Sequence, residues 1–162
     1  MAKFKFDGIN EYASKIYALE TSSTGMIKRA VWEGARVVMD AVKTEINALP
    51  EISERRAMIK TDQIAGITPA QKRGLLDGCG LAKMQDEDGY INTKLGFAGY
   101  NATKTRAYPN GQPNLLIARA VNSGTSFRKK IPFINRAVKA AKAAAEAAMR
   151  ARLDEDIKEK TK

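Results

Sequence analysis

The sequence predicts an α+β fold in which a small, mainly antiparallel sheet packs against a long central helix and a long alanine-rich C-terminal helix. Apolar residues recur every three or four positions over residues 26–49, which is the period of a helix. Nine of the fifteen residues from 137 to 151 are alanine, the strongest helix former. Residues 90–97 alternate between apolar and polar, which predicts a strand.

The N-terminal region is predicted to hold a strand and a short helix. Residues 3–7 alternate Lys-Phe-Lys-Phe-Asp, which is the period of a half-buried strand. Asp7 or Asn10 can cap a helix that runs to about Leu19, since their side chains accept hydrogen bonds from the first helical N–H groups. The segment 21–25, Thr-Ser-Ser-Thr-Gly, is predicted to interrupt this helix and to cap the next one.

The central helix is predicted over residues 26–49. Pro50 ends it, because proline lacks the N–H group that a continuing helix needs. Trp32 lies off the middle of the apolar stripe, so it either widens the buried face or contacts another subunit. The stripe consists of Ile27, Ala30, Val31, Val38, Ala41, Val42, Ile46 and Leu49.

A connection and a short helix are predicted to follow. Polar residues dominate 51–66, where we expect a long connection. Thr68-Pro69-Ala70-Gln71 is a capping-box pattern with proline at the first helical position, so a helix is predicted to begin here. It runs to about Leu76, and Gly78 and Gly80 are expected to stop it.

The next part of the chain is predicted to form a turn, a strand, a loop and a helix. Asp86-Glu87-Asp88-Gly89 is the turn, and 90–97 is the strand. Residues 99–113 are predicted to be loop-like. The segment 114–122 fits a strand or a helix, and the helical spacing of its apolar residues favours a helix that ends near Gly124.

The last element is predicted to be one long helix over 132–160, opened by Pro132. Its apolar stripe is mostly small, and small side chains let two helices approach closely. We expect this stripe to pack against the central helix of the same subunit; the alternative is that its far end projects and packs on a neighbouring copy. The stripe consists of Phe133, Ala137, Ala141, Ala144, Ala148, Met149 and Leu153.

Length and composition favour a single domain over residues 1–162. The chain is 44% apolar and 28% charged, which is ordinary for a globular protein. Its N-terminus lacks the apolar core of a signal peptide, and no apolar run approaches the roughly 20 residues that span a bilayer. We therefore expect a cytoplasmic origin and no membrane contact.

Residue types that carry catalysis or bind metals are scarce. The sequence has no histidine, which excludes His-dependent catalytic triads and His-containing zinc sites. Cys79 is the only cysteine and stands between two glycines, so we expect an inert thiol rather than a nucleophile. The acidic turn 86–89 lacks the further ligands of a calcium loop. We expect no enzyme activity, no metal site and no cofactor.

The net charge of +10 arises from one part of the sequence. No Asp or Glu occurs between Gly89 and Ala145, and the eighteen basic residues elsewhere are balanced by eighteen acidic ones. Such a block attracts an acidic partner, either nucleic acid or an acidic protein surface. Its ten basic residues are Lys94, Lys104, Arg106, Arg119, Arg128, Lys129, Lys130, Arg136, Lys139 and Lys142.

Aromatic residues lie among these cations and can stack on bases, so a nucleic-acid-binding accessory protein is an alternative function. The sequence carries no recognition helix, zinc finger or RNA-recognition signature. Tyr90 and Phe97 are expected to fill the core instead of stacking on bases. The aromatic residues of this region are Tyr90, Phe97, Tyr100, Tyr108 and Phe127.

Two neighbouring segments resemble a family signature. Residues 116–126 read Leu-Ile-Ala-Arg-Ala-Val-Asn-Ser-Gly-Thr-Ser, and residues 132–137 read Pro-Phe-Ile-Asn-Arg-Ala. In neck or tail-component proteins of long-tailed bacteriophages, a segment ending in Gly-Thr is likewise followed by a short basic loop, Pro-Phe and a C-terminal helix. The resemblance extends to 68–84 and 96–101. Many relatives carry an acidic residue before Gly-Thr, where this chain has Asn122-Ser123.

The resemblance implies a non-enzymatic α+β virion protein of the head–tail junction. It implies a ring, typically six-fold, around the DNA channel, which completes the tail or joins it to the filled head. Its neighbours would be head-closure and tail-tube or terminator proteins, and DNA would pass through without its sequence being read. Such a protein is made in the bacterial cytoplasm and becomes part of the virion.

A ring subunit needs two different surfaces that close by rotation. The turn 124–126 and the basic loop 128–130 are the best candidates for contacts, and Pro132 and Phe133 would anchor this loop. We expect most of the cations to face protein, because a strongly adhesive channel would hinder DNA ejection. The candidate contact residues are Arg119, Gly124, Thr125, Ser126, Arg128, Lys129, Lys130, Pro132, Phe133 and Arg136.

Overall fold

A computed structural model describes residues 7–58 and 63–161. In these ranges five helices and four short strands form an α+β fold, which confirms the predicted class. The strands form two antiparallel pairs instead of one small sheet. The elements are α1 (Asp7–Asn47), α2 (Glu54–Met58), α3 (Pro69–Gly78), β1 (Cys79–Leu81), β2 (Gln85–Glu87), β3 (Tyr90–Asn92), β4 (Leu95–Phe97), α4 (Asn114–Ser123) and α5 (Phe133–Thr161).

Helix α1 continues through the segment 21–25, so the predicted interruption there is wrong. The Ser23 hydroxyl, which could cap a new helix, instead forms a hydrogen bond within α1. Its Oγ donates to the Glu20 carbonyl oxygen at 2.8 Å. Met26 and Ala30 are buried directly after the segment. Their burial offsets the roughly 1 kcal/mol that a glycine costs inside a helix.

The predicted bounds of α1 can be compared with the structure at both ends of the helix. At the C-terminal end the helix stops at Asn47, shortly before Pro50, as predicted. At the other end it begins at Asp7, and the rest of the strand predicted over 3–7 lies outside the described residues. Trp32 is 37% exposed on the middle of the helix.

Helices α1 and α5 form an antiparallel pair that is joined by ion pairs at two positions along its length. Arg136 Nη2 lies 2.8 Å from Glu45 Oε2, and Arg29 Nε lies 2.9 Å from Asp156 Oδ2. Asp156 is only 1% exposed, so the far end of α5 is packed on α1 instead of projecting. The predicted packing of the C-terminal helix against the central helix of the same subunit is therefore confirmed.

Small residues line the contact between these two helices. A Cβ atom at Gly34 would lie 2.6 Å from Met149 Cε, so a larger residue there would have to displace the Met149 side chain that packs on it. Ala145 is buried and the predicted Ala144 is exposed, because the buried positions of α5 follow a spacing of four residues. Ile27, assigned to the buried stripe of α1, is 43% exposed. The buried alanines of α5 are Ala137, Ala141 and Ala145.

Helix α3 begins with the predicted capping box. Thr68 Oγ1 accepts a hydrogen bond from the Gln71 N–H at 3.2 Å, and Gln71 Oε1 accepts one from the Thr68 N–H at 3.3 Å. The helix runs to Gly78, two residues beyond the predicted end. A Cβ atom at Gly78 would collide with the Ala98 carbonyl, so the glycine permits the chain after β4 to pass close to the end of α3.

Strands β1–β4 are the inner and outer parts of one long hairpin. β1 pairs with β4 and β2 pairs with β3. Between the pairs, the three residues 82–84 face the two residues 93–94, and one extra residue on one side is typical of a β-bulge. This bulge divides the single strand that was predicted over 90–97. The inner part holds the buried Cys79 and Phe97, whereas β2 is fully exposed.

Phe97 lies in the core, as predicted, with its ring edge-on to Phe133 at a centroid distance of 6.2 Å. Tyr90 is 70% exposed, so its predicted core position is wrong; it lies on the outer part of the hairpin, beyond the reach of the core. The core also contains side chains of α1, α3, β1 and α4. Its buried members include Val42, Ile46, Leu49, Ile67, Leu75, Ile117, Val121 and Ala137.

The loop and helix predictions for 99–124 are confirmed. Residues 99–113 contain no helix and no strand. The segment that fitted a strand or a helix is helix α4, and it ends at Gly124, which adopts a φ of 78°. The predicted connection 51–66 contains the short helix α2, and its residues 59–62 lie outside the described part.

We expect Gly34→Leu to lower the free energy of unfolding by about 1–3 kcal/mol, because the new side chain overlaps Met149 and displaces it from the contact between the two helices. Chemical denaturation monitored by circular dichroism measures this change. Gly25→Ala is the matched control. A Cβ atom there would have only Arg29 Nη1 at 3.6 Å as a neighbour, so the stability should rise by up to about 1 kcal/mol. Equal effects of the two substitutions would contradict the close approach.

Candidate assembly surface

Helix α4 is the element around which the candidate contact residues gather. It packs into the core through Ile117, Ala118 and Val121. Leu115 and Leu116 are 52% and 41% exposed. Two clefts open along its flanks. Exposed apolar residues beside clefts are typical of surfaces that bind other proteins.

The first cleft, which we call the α5 cleft, has a volume of about 220 Å³ and lies between α4, α5, β4 and α1. Most of its lining side chains are apolar, among them Val38, Leu95 and the 47% exposed Val138. Arg119 on α4 brings a positive charge to its edge. This cleft fits an apolar side chain accompanied by an acidic one.

The second cleft, which we call the Arg128 cleft, has a volume of about 450 Å³ and lies along the other flank of α4. Ile64, Leu116 and Phe127 form its apolar walls. Lys104 lies on its lining and is exposed. Glu54 is the single acidic residue of the lining and is exposed as well.

A tight turn after α4 forms one wall of the Arg128 cleft. The Thr125 N–H donates to the Arg128 carbonyl at 2.9 Å, and the Arg128 N–H donates to the Thr125 carbonyl at 3.3 Å. Gly124 makes the entry to this turn possible, because its φ of 78° is unfavourable for other residues. Phe127 at the tip is 49% exposed.

The Arg128 side chain is directed into the protein. It is 5% exposed, and its Nη1 donates to the Gly66 carbonyl oxygen. Its Nε has no hydrogen-bond partner among the described residues. Burial lowers the pKa of the guanidinium below its ordinary value. Among the described residues, no carboxylate lies beside this buried positive charge.

The backbone on both sides of Arg128 holds the turn against the connection 51–66. The Ile64 N–H donates to the Phe127 carbonyl at 3.0 Å, and the Lys129 N–H donates to the Ile64 carbonyl at 2.9 Å. The Gln63 amide donates to the Ser126 carbonyl at 3.3 Å. These hydrogen bonds hold the backbone of this cleft wall in place.

The ten predicted contact residues do not lie on one surface. Arg128 and Phe133 are buried, so they support the loop from inside. Arg136 is exposed but ion-paired with Glu45 of the same subunit. Arg119 lies at the α5 cleft, away from the loop. Ser126, Lys129 and Lys130 are exposed, whereas Gly124, Thr125 and Pro132 are partly buried.

Sequence reasoning did not identify Leu115, Leu116, Thr103 and Lys104 as parts of the two clefts. For the first two a signal exists in the sequence. Three consecutive apolar residues at 115–117 cannot all face one side of a helix, so part of the run must be exposed. Thr103 and Lys104 come from a loop that carries no periodic pattern, so only the fold brings them to α4.

Most of the ten basic residues between Gly89 and Ala145, which we call the positive block, form no ion pair with an acidic side chain of the described residues. Arg128 is buried, and Arg136 has the ion pair with Glu45. The other eight side chains are exposed, and none forms an ion pair with an acid of the described residues. These eight are Lys94, Lys104, Arg106, Arg119, Lys129, Lys130, Lys139 and Lys142.

The chemistry available on the described residues is limited. They contain no group of three or more His, Cys, Asp or Glu side chains that could hold a metal ion. Cys79 is buried, and burial raises the pKa of its thiol above the ordinary 9.0 despite the opposing charge of Lys43. A thiol of this kind is a poor nucleophile, because the thiolate is the reactive form.

Comparison with protein-family models, with curated proteins and with solved structures finds no match to this chain. None of the described helices combines the length and the hydropathy needed to cross a membrane. The candidate surface therefore stands on its geometry and on the sequence resemblance.

We expect Cys79 in the folded protein to react with a thiol reagent at least about tenfold more slowly than in the unfolded chain, because its sulfur is buried. The raised pKa also predicts that stability falls as pH rises above 9.0, since the unfolded chain releases the thiol proton first. Absorbance kinetics and denaturation at several pH values measure the two effects. Cys79→Ser should remove the reaction and this part of the pH dependence. Equal reaction rates in both states would contradict the burial.

Proposed function

We propose that this chain is a structural subunit of the head–tail junction of a long-tailed bacteriophage. It forms a ring, six-fold by the resemblance, that completes the tail or joins it to the filled head around the DNA channel. Its neighbours in the stack are head-closure and tail-tube or terminator proteins. It acts by binding other subunits and not by catalysis.

The observation that best supports this proposal is the set of eight exposed cations that have no acidic partner among the described residues. They belong to the part of the chain that contributes most of the lining of both clefts beside α4. Exposed apolar side chains next to uncompensated charge favour binding to an acidic protein surface, because the apolar groups contribute affinity and the charges contribute orientation. This combination is expected of a subunit that completes its contacts only in an assembly.

Exposed aromatic side chains favour the second candidate, a nucleic-acid-binding accessory protein. Tyr90 and Tyr100 are each 70% exposed, and Phe127 is 49% exposed. Bases can stack on such side chains while lysines contact phosphates. Under this alternative the isolated subunit binds DNA, and its affinity falls steeply with salt, with a slope set by the number of phosphates neutralised.

Mass spectrometry of purified virions combined with electron microscopy of the neck tests the main proposal. The chain should be present in mature particles as a ring at the head–tail junction. Its absence from mature particles, together with salt-sensitive DNA binding by the isolated subunit, would favour the accessory protein instead.

We expect the double variant Lys129→Glu/Lys130→Glu to reduce the yield of joined particles by roughly tenfold without unfolding the subunit, because both side chains are exposed and form no ion pair with the described residues. Arg128 is left unchanged, since its side chain supports the fold from inside. Complementation of a phage that lacks the gene, with particle counts by electron microscopy, measures the effect.

The control is Lys83→Glu/Lys160→Glu, which changes the net charge equally at two exposed lysines outside the positive block. It should leave the yield of joined particles near the normal level. Normal yields from the Lys129/Lys130 variant would count against a contact at this loop.

A further inference from the structure

The Arg128 cleft has the chemistry of a site for an acidic segment. Arg128 belongs to its lining and has no carboxylate partner among the described residues, and Lys104 adds an exposed cation. Because the walls are apolar, a charge in this cleft is screened less than on open surface. A carboxylate placed over the cleft would therefore be attracted more strongly than by an exposed lysine alone.

The cleft contains two further features that a bound segment would use. Thr103 Oγ1 is buried on the lining and has no hydrogen-bond partner among the described residues. Phe127 and Leu116 expose apolar surface at the cleft. A volume of about 450 Å³ accommodates an aromatic side chain next to an acidic one.

The outer part of the β-hairpin carries acidic and aromatic groups that complement the Arg128 cleft. Asp88 and Gly89 adopt φ values of 53° and 86°, which makes a tight two-residue turn between β2 and β3. Asp86 is used within the subunit, since it pairs with Lys28 at 3.3 Å. Glu87 and Asp88 are exposed and have no ion pair in the described chain, and Tyr90 beside them is 70% exposed.

The hairpin and the cleft are far apart on one subunit, so they cannot meet within it. The hairpin is tied to α1 at Lys28, about 28 Å along the helix from Asn47 at 1.5 Å per residue. The cleft lies near the other end, since Gln71 of its lining adjoins Lys72, whose Nζ donates to the Leu49 carbonyl at 3.2 Å. Two different complementary surfaces on one chain are what a head-to-tail ring requires.

We propose that the Arg128 cleft receives the acidic hairpin tip, Glu87 to Tyr90, of a second copy of this chain. This inference rests on the proposed ring and identifies its subunit contact. Glu87 or Asp88 then lies over the buried Arg128 and near Lys104, and the Tyr90 ring packs on Phe127 and Leu116. Repeated around an axis, this contact joins each subunit to the next.

Charge reversal on both sides of the contact tests it. Lys104→Glu and Glu87→Lys should each weaken self-association at least about tenfold, because each places like charges together. The double variant, which exchanges the two charges, should recover most of the loss. Glu54→Gln should strengthen association, since it removes the acid that repels the incoming tip. Analytical ultracentrifugation and native mass spectrometry of the full chain measure these changes.

Matched controls separate this contact from general charge effects. Lys94→Glu and Asp77→Lys reverse exposed charges outside the cleft and the hairpin tip and should leave association unchanged. As an independent measurement, a chain with Asp88→Cys and Lys104→Cys should form disulfides between copies under mild oxidation. The native Cys79 can stay in place because it is buried.

Failure of this inference and failure of the proposed function have different signatures. Wild-type association in both reversal variants, or cross-links absent from solution and from purified particles, overturns the hairpin contact. If Lys104→Glu loses head–tail joining while Glu87→Lys behaves as wild type, the cleft takes an acidic segment of a neighbouring ring protein, which overturns the inference and leaves the function. Absence of the chain from virions overturns the function itself.

Discussion

The close contact between α1 and α5 is the constraint on which the rest of the structure depends. It requires small residues, and Gly34 and the buried alanines of α5 supply them. Because alanines bury little area, the two helices alone form a narrow interface. The larger side chains of Val42 and Ile46 face the core at the C-terminal end of α1. The segments between the two helices must therefore fold around that end, where α3, the inner hairpin and α4 share one core.

This arrangement separates the chain into parts with different tasks. Phe97 and Phe133 fix the inner hairpin to the start of α5, and their edge-on contact lies beneath α4. Beyond the bulge the hairpin leaves the core and follows α1, which exposes Tyr90 and the acidic turn. The basic loop 128–130 and the acidic turn 86–89 thus emerge at different places on the subunit. A subunit of this shape can present opposite charges to two neighbours without neutralising itself.

The sequence predicts the elements whose signals are local and repeated, and it fails where a distant contact decides. The helical periods of α1 and α5 and the capping box at Thr68 follow from neighbouring residues alone. The segment 21–25 carries a local signal for a break, but burial of Met26 on the same helix overrides it. Tyr90 is expected in the core for its aromatic ring, yet it alternates in phase with the polar Asn92 and Lys94 and lies beyond the bulge, outside the core. The burial of Arg128 depends on the Gly66 carbonyl, which no spacing in the sequence brings to it.

Arg128 also bears on whether the positive block meets protein or DNA. A phosphate backbone is contacted well by exposed, flexible lysines and does not require a cleft with apolar walls. A cleft lined by Phe127, Leu116 and the buried Arg128 is different, because a ligand that brings both apolar surface and a carboxylate complements it best. Protein segments supply this combination and a nucleic-acid backbone does not. The position of Arg128 therefore favours protein partners for the cleft, while the exposed lysines around it attract and orient an acidic neighbour that approaches.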